Sequence, residues 1–307
     1  MALTTSTRSF IGKGKVYAGL RSGGPKFPIG NVAALSFAIS EEKKELLDYT
    51  SSGGGTKDTL TRISSIEGTA SVHDFSPENL ALVLRGAVGS VAAGSVAAEA
   101  QTAYTNGFIP FDYLPDTGAT ITPAIDVSAA RANSTAYAVG DCILESAVIY
   151  QCTTAGTSDA SAPTFNTAVG ATTTDGTAVW TSRGAVAMVD GTDYEVGKAG
   201  IFILSTATRF AAGLLLTIAY TKNASEVVQA LVNSSLEYVL AFDGLNEVDS
   251  GNPFFVQAHR IKFGVTAGLD MIGDDFGALE VKFDVLQDTT ITGTGISQYL
   301  KIAQVAG

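Results

Sequence analysis

Strict alternation of apolar and polar side chains is the feature that most narrows what this chain can fold into. Leu279, Val281, Phe283 and Val285 alternate with Glu280, Lys282 and Asp284. A period of two places the first set on one face of a strand and the second on the other, so the segment reads as an antiparallel strand with one wet face. Leu35, Phe37 and Ile39 repeat the pattern, as do Ile261, Phe263 and Val265 beside Arg260 and Lys262. So do Leu214, Leu216, Ile218 and Tyr220. The 33 glycines suit a chain of many strands and tight turns. Hydrophobic residues make up 46% and charged residues 16%, the reverse of a disordered composition.

One helix interrupts the strands. Ser76 is placed to cap it, Pro77 suits its first position and Glu78 complements its dipole. Leu80, Val83 and Leu84 form its apolar stripe, and Gly86 is expected to end it. A second helix is expected over residues 224–232, where Val227, Val228, Leu231 and Val232 fit helical spacing. Residues 40–60 begin with Glu41, Glu42, Lys43, Lys44 and Glu45 and end with Gly53, Gly54 and Gly55. They read as a long loop, which inside a domain is usually functional. Residues 89–98, a tandem of Gly-Ser-Val-Ala-Ala, read as a flexible connection.

Composition shifts again near Val127. Up to Gly184 the only charges are Arg131 and Arg183 against Asp141, Glu145, Asp159 and Asp175, with threonine, alanine, glycine and the single Trp180 filling the rest. Residues 127–188 therefore read as a small all-β module inserted into a larger domain made of 1–126 and 189–307.

Several functions are disfavoured. A formal charge of −11 repels nucleic acid, whose binding needs Lys and Arg against phosphate. Residues 1–11 lack the apolar core of a secretion signal, and no stretch reaches about 18 apolar residues, so a soluble protein without membrane contact is expected. Gly191, Gly197 and Lys198 miss the phosphate-loop spacing, with Ala199 where Ser or Thr is needed. Tyr17 occupies the third glycine position after Gly12 and Gly14. His73-Asp74 reads as a turn before the helix, and Asp274-Asp275 as a solvated turn. Cys142 and Cys152 are too few for a zinc site. A disulfide between them is sterically admissible, while two reduced thiols are favoured in a cytoplasmic protein. No catalytic, cofactor or metal site emerges, and the chain is not expected to be an enzyme.

The order of segments resembles that of bacteriophage major tail (tail tube) proteins. The matching pieces begin with Ile29-Gly30-Asn31-Val32, the strand after it, Ser40-Glu41-Glu42, and Ser76-Pro77-Glu78-Asn79-Leu80. Later pieces are Gly191-Thr192-Asp193-Tyr194, Phe242-Asp243-Gly244-Leu245-Asn246, His259-Arg260-Ile261-Lys262-Phe263 and Asp274-Asp275-Phe276. Together they run over about four-fifths of the chain. The resemblance implies a mainly β fold, a tail-tube-like sandwich or barrel with one flanking helix. Copies of the chain would close into hexameric rings, and rings would stack into a conduit through which DNA passes without specific binding. It also implies tape measure, tail terminator and baseplate proteins as partners, assembly in the host cytoplasm and a place in the virion. Glu41, Glu42, Lys43, Lys44, Gly53, Gly54 and Gly55 would contact the neighbouring ring.

The module resembles small β domains that decorate phage structural proteins and, more distantly, chitin- or cellulose-binding domains. The matching run includes Ala136-Tyr137, Val139-Gly140-Asp141, Ile149-Tyr150-Gln151-Cys152 and Val179-Trp180. Tyr137, Tyr150 and Trp180 are the aromatics on which a sugar would stack, although a module this small also needs them for its core. The competing reading is a glycan-binding adhesin or another virion surface protein.

Overall fold

The computed structural model describes residues 9–50, 52–116, 118, 120–127, 129–233, 236–266 and 268–305. The chain divides into two units, Met1–Gly89 with Glu226–Gly307, and Ser90–Ser225. Both are built of strands, and the described residues hold one α-helix.

The first unit is organised by an eight-stranded antiparallel sheet. Its early strands are β1 (Gly12–Leu20), β2 (Phe27–Pro28), β3 (Val32–Leu47) and β4 (Thr56–Val72). Across the sheet the order is β2, β1, Tyr238–Asn246, Asn252–Phe263, Leu279–Val285, β4 and β3, with Leu300–Gln304 also pairing with Asn252–Phe263. The alternation read from Leu279 to Val285 is realised residue by residue, the four apolar side chains buried and Glu280, Lys282 and Asp284 exposed. Phe283 packs edge-on against Phe37 and Phe263. Room for it comes from Gly68 on the neighbouring strand, where a Cβ would fall 2.1 Å from the Phe283 ring.

Helix α1 (Pro77–Val83) lies on the apolar face. Ser76 Oγ accepts the Asn79 backbone N–H at 3.2 Å, and Pro77 opens the first turn. Val83 is 1% exposed, with Leu80 and Leu84 packed on the same core. Burying a side chain of that size contributes about 1.5–3 kcal/mol. The helix ends differently from expectation. Arg85, not Gly86, takes the left-handed conformation, with φ of 47°. Gly86 N–H then donates to Ala81 O at 2.7 Å, the six-to-one bond of a Schellman ending. Gly86 is required for another reason, since a Cβ there would meet Gln229 O at 2.6 Å.

Three further expectations are corrected here. The second helix is absent, because Ser225–Gln229 is a strand paired with Ala87–Val91; the β-branched Val227 and Val228 suit that state. Residues 89–98 are not a flexible connection, since Ala87–Val91 and Gly94–Ala103 are both strands. Residues 40–60 are not a loop but the outer half of the β3–β4 hairpin, closed by a turn near Gly53 and Gly54.

The second unit contains two three-stranded sheets. One runs Tyr194–Val196, Gly200–Ile203, Phe108–Pro110, and the other Gly94–Ala103, Leu214–Lys222, Thr122–Ile125. Ile109, Ile125, Ile201, Ile203, Phe210 and Leu216 are among the side chains of the core between them. A four-stranded sheet follows the order Cys142–Glu145, Val148–Thr154, Ala178–Ala185, Thr172–Asp175. Ile143, Tyr150, Cys152 and Trp180 cluster on one of its faces. From the other face, Ile149, Cys142 and Leu144 join the larger core. The boundaries expected at 126/127 and 188/189 thus fall inside this unit, and the four-stranded sheet shares its packing with the strands around it.

The two thiols follow from the same sheet. Cys142 stands directly opposite Gln151, so Cys152, one residue further on, points to the opposite face. Both are free. Burial pushes the Cys142 thiol up to about 11 and raises Cys152 as well. The thiolate is the reactive form, so alkylation of the folded protein at pH 8 should be at least about tenfold slower than in urea. Labelling at the denatured rate would show that the sheet opens readily.

Candidate assembly surfaces

The outer half of the β3–β4 hairpin is an arm. Every described residue of 38–47 and 56–64 is exposed on both faces of the ribbon. Ten residues of strand span roughly 33 Å. The strands stay paired along it from Ser40↔Ser65 to Leu47↔Thr56, with a register shift at each end, between Ser40 and Glu41 and between Leu46 and Leu47. Cross-strand neighbours share a face, which puts Glu42, Lys44, Leu46, Arg62, Leu60 and Asp58 on one side. Glu41, Lys43, Glu45, Leu47, Thr61 and Ile63 lie on the other.

The charges balance on the first face, while Glu41 and Glu45 outnumber Lys43 on the second. Lys43 Nζ lies 2.6 Å from Glu45 Oε1, and Lys44 Nζ 3.7 Å from Glu42 Oε1. Exposed pairs of this kind contribute at most about 1 kcal/mol. Large apolar side chains fill the remainder. Ile39, Leu46, Leu60 and Ile63 are each about half exposed, and Tyr49 at the tip is 82% exposed. Large apolar side chains exposed on both faces of a projecting element mark a place where something docks. Gly53 and Gly54 hold φ values of 124° and 48° in the turn. All seven residues singled out in the sequence as a ring contact, Glu41 through Lys44 and Gly53 through Gly55, lie on this arm or its tip.

Two further surfaces of the first unit emerge that sequence periodicity did not mark. One is a cavity of about 630 Å3 beside α1, lined by Ala18, Leu20, Phe27, Ala81, Leu82 and Tyr238 among others. The second is the segment between Phe263 and Leu279. Its ends are fixed. Thr266 N–H donates to Val83 O at 3.0 Å, Gly264 N–H to Lys282 O at 2.7 Å, and His73 Nδ1 lies 3.0 Å from Gly277 O. Its middle projects, with Met271, Ile272 and Phe276 at 75%, 98% and 97% exposure.

The aromatics considered for sugar stacking occupy different ground. Trp180 and Tyr150 are 0% and 1% exposed and form the core of the four-stranded sheet. Tyr137 meets Trp180 edge-on at 4.8 Å, and its Oη accepts the Ala132 backbone N–H at 2.7 Å. The buried Trp180 and Tyr150 rings offer no face to a glycan and serve core packing, while Tyr137 is half-buried against them.

Beneath Trp180 lies the most heavily engaged polar group of the second unit. Arg131 grips both oxygens of Asp175, Nε and Nη2 each at 2.7 Å. Asp175 also accepts the Asp159 backbone N–H at 2.9 Å and Trp180 Nε1–H at 3.2 Å. The paired side chains are 2% and 0% exposed. Hydrogen bonding to the Arg131 guanidinium holds the Asp175 carboxyl below the usual carboxylate range, against the opposing effect of burial.

No helix among the described residues is long and apolar enough to cross a membrane. Fold and surfaces together define a mainly β protein of two units, the first of which extends an uncovered two-stranded arm. The chain belongs to the family described as protein of unknown function UCP028589, whose model matches it in two overlapping segments, residues 9–165 and 153–303. The matched residues include the four-stranded sheet. No curated protein matches the chain.

Proposed function

We propose that this chain is the structural subunit of a bacteriophage tail tube, assembling as hexameric rings that stack into the conduit for DNA. The observation that carries the reading is the uncovered arm. A lone two-stranded ribbon is marginally stable in water, and this one carries leucines, isoleucines and a tyrosine on faces that no described residue of the chain covers. A second copy in a stacked ring would cover them.

The large sheet supports the same reading. It ends in β3 on one side and the two-residue β2 on the other. Open edges invite pairing with another strand, and closure around a ring removes them. The face of the sheet opposite its core carries charges of both signs, with Asp284 opposite Lys262 and Asp243 opposite Lys15. Turned toward a lumen, that mixed face would offer DNA no continuous basic patch to adhere to. Tape measure, terminator and baseplate proteins would then cap and fill the tube.

Electron microscopy of the concentrated protein tests this directly. Regular tubes or six-fold rings are expected, and strictly monomeric protein at every concentration and salt would overturn the proposal.

A further inference from the structure

The projecting segment and the cavity beside α1 answer each other's chemistry. Ile272 and Phe276 are almost wholly exposed although each is a large apolar side chain. Leaving two such groups in water forgoes the stabilisation their burial would bring. The segment does not collapse onto its own unit because one end is tied by the backbone hydrogen bonds of Gly264 and Thr266, the other by the His73 ring at Gly277 O, and Leu269 already packs into the core. It is a fixed knob. The cavity is apolar along Ala18, Leu20, Phe27, Ala81 and Leu82, and at about 630 Å3 it takes several side chains.

Charge agrees with shape. The knob carries Asp270, Asp274 and Asp275 around its apolar tip. Lys26, exposed between the lining residues Pro25 and Phe27, lays its stem over Gly19 and puts one positive charge at the rim. Glu78 is the one acid lining the cavity and sits in the first turn of α1, beside the backbone N–H groups there.

We infer that the knob of one copy, residues 270–276, seats in the cavity beside α1 of a second copy. A knob and a hole on different parts of one surface make a heterologous contact, which closes into a ring when the rotation between copies allows it. The inference deepens the tail-tube reading and rests on it for the number of copies in the ring, but the contact itself requires only self-association.

The test uses two full-length single-cysteine proteins in a background where Cys142 and Cys152 are serine, one carrying Phe276→Cys and the other Ala81→Cys. Mixed at high concentration and oxidised, they should give a disulfide-linked pair of the two different chains, while either alone should give far less. Absence of that pair overturns the inference whether or not tubes form. Its appearance without tubes would sustain the contact and count against the tail tube, so the two failures are distinguishable. In the otherwise native chain, Phe276→Asp should weaken self-association by about tenfold to a hundredfold, the loss expected for one buried aromatic. Its melting temperature should stay the same, because the side chain touches little in the monomer. Undiminished association in Phe276→Asp would also overturn the inference.

Discussion

Replacing residues 41–64 by an Asn-Gly turn should leave the first unit folded and abolish tubes entirely. Ser40 and Ser65 are register partners at the base of the arm. A two-residue Asn-Gly connection fits the twist of an antiparallel hairpin. None of the described residues removed is buried in the monomer, so little hydrophobic stabilisation goes with them. The thermal midpoint should therefore move by only a few degrees, with an unchanged β-type circular dichroism spectrum. Assembly should behave in the opposite way. If the arm is the contact between rings, every ring loses each of its axial ribbons at once, and the effect is all or none rather than graded. Electron microscopy and sedimentation of the same preparation read both halves of the result. Normal tubes from the shortened protein would remove the arm from the assembly, and an unfolded product would make it part of the core.

The arm is also where the sequence was least legible, and the physical reason is general. Alternation betrays a strand only when one face is buried. Leu279 to Val285 announces itself because the core takes every second side chain. Along Glu41 to Glu45 neither face meets the core, so no period of two develops and a charged run reads as a loop. What signal there was lay in the partner strand, where Thr56, Thr59, Thr61 and Ile63 favour extended backbone. The helix was legible because its cap is local, and its ending was misjudged because Gly86 is needed for space rather than for φ.

The second unit shows the complementary limit. Composition marked residues 127–188 as distinct, but composition cannot reveal that Ile149 and Leu144 face a core built by strands on either side of that stretch. Nor could the cavity beside α1 be foreseen, since its walls come from two early strands, the helix and Tyr238. Arg131 and Asp175 looked like two isolated charges. They stand 44 positions apart, and only the folded sheet brings them together.

That pair carries the largest expected effect on stability. Asp175 is wholly buried, and Arg131 satisfies both of its oxygens. Arg131→Met would leave a carboxylate in the interior without its counter-charge. Breaking a buried pair from one side costs about 3–5 kcal/mol, whereas replacing both partners by apolar groups is often nearly neutral. Arg131→Met should thus lower the urea midpoint of the second unit by about 2 M, taking a slope near 2 kcal/mol per molar. Asp175→Leu combined with Arg131→Met should recover much of that loss. Trp180 is the only tryptophan in the chain and donates to Asp175, so its fluorescence reports the transition without a label. The pH dependence separates the ion pair from mere packing. In the native protein the Asp175 carboxyl is depressed. Its contribution is therefore complete above the unfolded value, about 3.9, and is lost as pH falls through the lower folded one. In Arg131→Met the largest cause of the depression is gone, and burial, which raises a carboxyl, is opposed only by the hydrogen bonds from Asp159 N–H and Trp180 Nε1–H. The variant should then lose less stability on acidification than the native protein does. Parallel pH profiles for the two proteins, or a loss below about 1 kcal/mol, would show that Arg131 serves only as filler beneath Trp180.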